Sequence, residues 1–119
     1  MNYLNFDSYN QVKTSMKDKF PILLERYHVD GKKYISIIQD ALVQSDLDTI
    51  INNAHNIKSS SGLIGFVMVH EHAKNLEYSG KSMVNEALDV ETLEIHFNKL
   101  VKAFNEAEEF VIDQLDDFK

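Results

Sequence analysis

Apolar residues recur at steps of three and four along nearly the whole chain, and that spacing restricts its fold more than any other feature. The longest row is Leu93, Phe97, Leu100, Phe104, Ala107, Val111 and Leu115. An α-helix turns about 100° per residue, so such a row forms one stripe down one face. Acidic and basic residues occupy the other faces, which makes this a heptad-type seam, and the spacing predicts one helix over about 90–117. At about 1.5 Å per residue that helix is roughly 40 Å long. It can pack along a bundle made by the rest of the chain or pair with a second copy. Asp89 suits its N-cap, with Thr92 three residues on.

Four further rows precede it. Phe6, Tyr9, Val12, Met16, Phe20, Leu23 and Tyr27 predict a helix over about 7–28, capped by Asp7 or Ser8. Pro21 lacks an N–H and crowds the preceding turn, so it either kinks that helix near residue 20 or opens a new one. Asp30-Gly31 reads as punctuation, with a helix from Lys32 to about Gln44 carrying Ile35, Ile38, Ala41 and Leu42. Ser45 then caps a helix over about 46–61, with Asp48 in a capping-box position. Its inner face holds Leu47, Ile50, Ile51, Ala54, Ile57 and Ile64, and Gly62 and Gly65 loosen its end. Phe66, Val69, Ala73 and Leu76 predict the next helix over about 66–79, stopping at Gly80. Short connections make neighbours antiparallel, so the pattern predicts an all-α, four-helix bundle and a single domain over 1–119.

Composition agrees. Four Gly and one Pro in 119 residues leave too few turns for an all-β sandwich, and they disfavour alternating βα units. With no Cys there is no disulfide framework and no thiolate-ligated metal. Twelve Lys and Arg against 19 Asp and Glu give a net charge of −7, which argues against nucleic acid and anionic lipid as partners. The first ten residues lack a basic segment followed by an apolar one, and apolar runs stop at four or five residues. The expectation is a soluble, cytoplasmic domain, and the initiating Met with a capped first helix favours a free-standing protein.

The five histidines sort by their surroundings. His70 and His72 are two apart and point away from each other on a helix, so they cannot chelate one ion. Glu25 and His28 form a single Glu-x-x-His, where a di-iron bundle needs two, so no metal site is expected. These three and His96 read as surface or boundary residues. His55 differs. On a helical wheel Asp48, Asn52, His55, Ser59 and Gly62 share one strip beside the apolar face. Ser59 and Gly62 are small, so nothing on that helix overhangs the imidazole from that side. Lys58 sits one turn from His55, between the ring and the apolar face. An imidazole titrates at about 6.5, so it is mostly a neutral nucleophile at pH 7. A neighbouring ammonium can supply charge-assisted hydrogen bonds to phosphate oxygens. An exposed His with a nearby Lys and small flanks suits a site that holds a phosphoryl group and admits a second protein.

The stretch Ala54-His55-Asn56-Ile57-Lys58-Ser59-Ser60-Ser61-Gly62-Leu63-Ile64-Gly65 closely resembles the signature of histidine-containing phosphotransfer (HPt) domains of bacterial phosphorelays. Ala41-Leu42 with Asp46 resembles the approach to the phospho-helix, and Leu76-Glu77 resembles the "LE" that ends the following helix. The likeness covers about residues 16–82 in motif detail. It implies that His55 is phosphorylated on Nε2, that Lys58 stabilises the phosphoryl group, and that Asn52, Ser59 and Gly62 belong to the partner surface. It implies a structural role for Gly65 in tight packing of the next helix, and an antiparallel four-helix bundle with an additional N-terminal helical segment across it. Two positions depart from the pattern. Many members carry Gly where Ser59 stands, and Phe66 occupies a site that is often small or aliphatic. Buried, Phe66 fills the core; exposed, it reshapes the partner-binding rim.

The resemblance implies a phosphoryl carrier that needs no cofactor and has no kinase activity of its own. Its partners would be receiver domains of response regulators or hybrid sensor histidine kinases, which supply Mg²⁺ and the catalytic acids. Asp48, two turns from His55, is the only acid on the strip. The rival readings are a helical docking module that binds a receiver or kinase without carrying phosphate, and a structural homodimer built on the 93–115 seam; a monomer is the expected state.

Overall fold

The structure is a computed structural model and describes residues 3–118. It contains α1 (Phe6–Met16), a 3₁₀ turn (Lys17–Lys19), α2 (Phe20–Gln44), α3 (Leu47–Ile64), α4 (Val67–Ser82) and α5 (Val90–Asp117), with no strand among the described residues. Helices α2 to α5 form an antiparallel ring in which each packs on the next and α5 closes on α2. The first helix is the additional N-terminal segment. The molecule measures 48 × 23 × 21 Å, its long axis set by the long helices.

The seam of α5 faces inward. Leu93, Phe97, Leu100, Phe104, Ala107 and Val111 are all buried, so the stripe is used by the chain's own bundle and is not left for a second copy. Fully burying each such Leu or Phe contributes about 1.5–3 kcal/mol.

Near residue 20 the chain takes one of the two expected forms, a break with a new helix opening near Pro21, while three other helix ends differ from the sequence expectation. The break after α1 falls at Lys17, whose φ of 53° lies in the left-handed region and ends the helix. Pro21 then sits in the first turn of α2, where its missing N–H costs nothing. The larger correction is at Asp30-Gly31, which does not interrupt anything: α2 runs straight through it for 25 residues. Gly31 is there for space. A Cβ at this position would lie 2.5 Å from Cε2 of Phe104, so the glycine lets that ring lie against the α2 backbone. Gly80 likewise does not stop α4, which continues to Ser82.

The caps shift by one to three residues. Asn5, not Asp7 or Ser8, caps α1, its Oδ1 accepting the Ser8 N–H at 3.1 Å. Ser45 instead ends α2 with a φ of 56°, and Asp46 caps α3. The Asp46 carboxylate accepts from both the N–H (3.3 Å) and the hydroxyl (2.6 Å) of Thr49. Asp89 repeats that pattern with Thr92 on α5, as expected. Helix α3 extends to Ile64, beyond the expected end near 61, and this keeps the whole His55 strip on regular helix.

Candidate functional site

Helix α3 presents Asp48, Asn52, His55, Ser59 and Gly62 as one exposed strip. Its opposite face is anchored by Ile50, Ala54, Ile57, Ser61 and Ile64, all buried. Ser61 belongs to that inner row because it lies four residues after Ile57. Its hydroxyl meets the buried Tyr27 hydroxyl at 2.7 Å and ties α3 to α2 behind the strip. Burial pushes the Tyr27 phenol well above the ordinary tyrosine range, so it stays protonated.

The His55 side chain is 54% exposed, and its Nδ1 lies 2.9 Å from Oε2 of Glu77. Glu77 projects from α4 with only 1% of its side chain exposed. The same carboxylate takes Lys58 Nζ on Oε1 at 2.7 Å and Lys81 Nζ on Oε2 at 3.0 Å. Burial alone would raise the Glu77 pKa; hydrogen bonds from Lys58, Lys81 and His55 outweigh it and bring it down to about 2. The group is therefore a carboxylate at neutral pH and can only accept. The nitrogen that faces it must carry a proton. In the neutral imidazole this puts the proton on Nδ1 and leaves the Nε2 lone pair free for chemistry.

The sequence reading missed Glu77 as part of this site. Its only trace there was the Leu76-Glu77 match, since periodicity places residue 77 beside buried Leu76 without saying what a buried acid would meet. Lys58 joins the same cluster. Its ammonium is drawn down onto Glu77, the side chain is 20% exposed, and Nζ lies 5.9 Å from the centroid of the Tyr78 ring.

Gly62 is exposed on the strip, but its lack of a side chain also serves α4. A Cβ there would come within 2.9 Å of His70 Nδ1, and that nitrogen is 2.9 Å from the Lys58 carbonyl oxygen. Gly65 caps α3 at φ +103°, a conformation suited to glycine. Its close neighbour is the N-terminal segment, not the next helix: a Cβ would lie 2.8 Å from the Asn5 carbonyl oxygen, and the Asn5 N–H donates to Gly65 O at 2.7 Å. Phe66 is fully buried and stacks on Tyr27 at 5.0 Å between centroids, so it fills the core and does not alter the rim. Ser59 and Leu63 line a groove together with Tyr27 and Tyr34 of α2. Asn52 stays on the exposed strip one turn before His55.

The other histidines lie apart from this cluster. His28 Nδ1 is 3.5 Å from Glu108 Oε2, and His72 is held below its usual pKa by burial and by Lys99. Among the described residues no group of three or more His, Asp or Glu side chains could hold a metal ion, and no helix is long and apolar enough to cross a membrane.

A solved structure of similar fold is the crystal structure of histidine-containing phosphotransfer protein B (HptB) from Pseudomonas aeruginosa PAO1. It superposes with a TM-score of 0.88 over 99% of this chain and 98% of that one, at 18% identity. No curated protein matches the sequence significantly. The family model of the Hpt domain matches residues 22–114, a span that holds α2, α3, α4 and nearly all of α5. The chain therefore belongs to the Hpt domain family, the histidine phosphotransfer proteins of phosphorelays.

Proposed function

We propose that this chain carries a phosphoryl group on Nε2 of His55 between receiver-domain aspartates. The observation that carries the reading is the hydrogen bond from His55 Nδ1 to Glu77, on an imidazole that is otherwise half exposed. The Nε2 lone pair attacks the phosphorus of an aspartyl phosphate as the P–O bond to the carboxyl breaks. The aspartate leaves as a carboxylate, and the Nδ1 proton stays in place. The product is a phosphoimidazolium whose ring charge faces the Glu77 carboxylate. Reversal onto a second aspartate returns the neutral imidazole, so no proton is exchanged with solvent.

The chain acts as a carrier and not as a kinase. In-line phosphoryl transfer needs Mg²⁺ and acids around the reacting phosphorus. Asp48 is two turns from His55, so we assign those groups to the receiver domain of a response regulator or hybrid sensor kinase. Asn52, Ser59 and Gly62 form the surface that such a partner meets. We further infer that residues 1–119 act as one unit, as a monomer, in the cytoplasm with those partners.

The test is to incubate the protein with a phosphorylated receiver domain and follow its intact mass. The expected result is the gain of one phosphoryl group that acid removes and mild base does not. A docking module would bind the receiver and gain no mass.

A further inference from the structure

Glu77 holds more positive charge than it needs. One buried carboxylate receives two ammonium groups and an imidazole N–H. Lys58 and Lys81 approach it differently. Lys58 comes from α3, one turn from His55, and takes Oε1; its side chain is 20% exposed. Lys81 comes from α4 itself, four residues after Glu77, and takes Oε2 with 55% of its side chain exposed. Lys81 is thus bound to Glu77 by the geometry of one helix, whatever happens on α3.

A phosphoryl group on Nε2 adds two negative charges on the His55 strip, and Lys58 is the cation one turn away. Reaching those oxygens requires its ammonium to leave Oε1 of Glu77. The exposed Tyr78 ring, 5.9 Å from Lys58 Nζ, is a second contact that holds the ammonium where it rests. Without Lys81, that departure would leave the buried carboxylate with the phosphoimidazolium N–H as its one remaining partner, beside a doubly charged phosphoryl group.

Resting on the phosphocarrier reading above, we propose that Lys81 is a positioning residue for phosphotransfer: it keeps Glu77 neutralised so that Lys58 can move to the phosphoryl group on His55. Lys81 itself does not touch the phosphoryl group. It allows Lys58 to do so, and it keeps Glu77 in place against Nδ1.

The experiment phosphorylates wild type, Lys81→Met, Lys81→Arg, Glu77→Gln and the Glu77→Gln/Lys81→Met double variant with phosphoramidate, a small donor that needs no partner protein. Phosphoryl uptake is followed by intact mass. Losing one charge-assisted hydrogen bond's worth of coupling should slow Lys81→Met about tenfold. Lys81→Arg should recover to within about twofold of wild type, because it restores the cation at the same place. The decisive readout is the double variant. In a Glu77→Gln background there is no buried carboxylate to neutralise, so adding Lys81→Met should change the Glu77→Gln rate by less than about twofold. A Lys81→Met protein that phosphorylates at the wild-type rate overturns the proposal. So does an undiminished Lys81→Met effect in the Glu77→Gln background, which would mean that Lys81 acts on the phosphoryl group directly, and so does a Lys81→Arg protein as slow as Lys81→Met. Wild type that takes up no phosphoryl group overturns the carrier reading itself, a different outcome from any of these.

Discussion

The Nδ1 of His55 on α3 lies 2.9 Å from Oε2 of Glu77, a buried carboxylate on the neighbouring helix α4. That one contact decides which ring nitrogen carries the proton, and so which one can react. The expected state of resting His55 at neutral pH is the Nδ1-protonated tautomer, read from imidazole ¹⁵N chemical shifts. Glu77→Gln replaces an acceptor by an amide that can turn its NH₂ toward the ring and favour the opposite tautomer. Phosphoryl uptake should then fall by on the order of tenfold to a hundredfold, as for other carboxylates that orient a reactive histidine.

The same carboxylate makes stability depend on acid. Its pKa falls from 4.5 to about 2 on folding, because hydrogen bonds from Lys58, Lys81 and His55 outweigh the effect of burial. A depressed carboxyl contributes stability that is fully present above its unfolded pKa and is lost as pH falls through the folded value. At neutral pH Glu77→Gln should lower unfolding stability by about 1–3 kcal/mol, since two cations lose their partner. Urea midpoints measured from about pH 7 down to about pH 2 should show the gap between wild type and variant closing below 4.5, as Glu77 itself becomes neutral.

Gly31 is a packing glycine in mid-helix. Gly31→Ala gains about 1 kcal/mol of helix propensity but places a methyl 2.5 Å from the Phe104 ring, in a core where overpacking costs about 1–3 kcal/mol. The expected net effect is a loss of up to about 2 kcal/mol in chemical denaturation. Combined with Phe104→Leu, the pair should cost less than the sum of the two single changes.

Behind the strip, Ser61→Ala leaves the Tyr27 hydroxyl buried without its 2.7 Å partner. The expected cost is about 1–3 kcal/mol, and Tyr27→Phe/Ser61→Ala should be milder than the two single losses added together, because no polar group is then stranded. Denaturant midpoints of the three variants check this.

How much of this was legible in the sequence depends on what each feature answers to. The α5 helix, its Asp89 cap and the exposure of Asp48, Asn52, His55, Ser59 and Gly62 follow from periodicity and local capping, so one stretch of chain contains the information. Gly31 was misread as a break because its reason is Phe104, more than seventy residues away in the sequence. Gly65 was referred to the next helix because its true neighbour, Asn5, lies sixty residues earlier. Glu77 was passed over for a related reason. A buried acid is intelligible only with its cations, and two of its three partners stand on another helix. Lys81, four residues away on α4, was the one partner that spacing could have supplied.

The central claim is that His55 is the phosphoryl carrier. The most direct measurement mixes wild type and His55→Gln, each at equal concentration, with a receiver domain phosphorylated on its aspartate, and follows phosphoryl transfer with time. His55 is half exposed, so the variant should keep the fold, as circular dichroism would verify. The expected result is transfer to wild type and none to His55→Gln. Transfer to His55→Gln at a rate comparable to wild type would contradict the account.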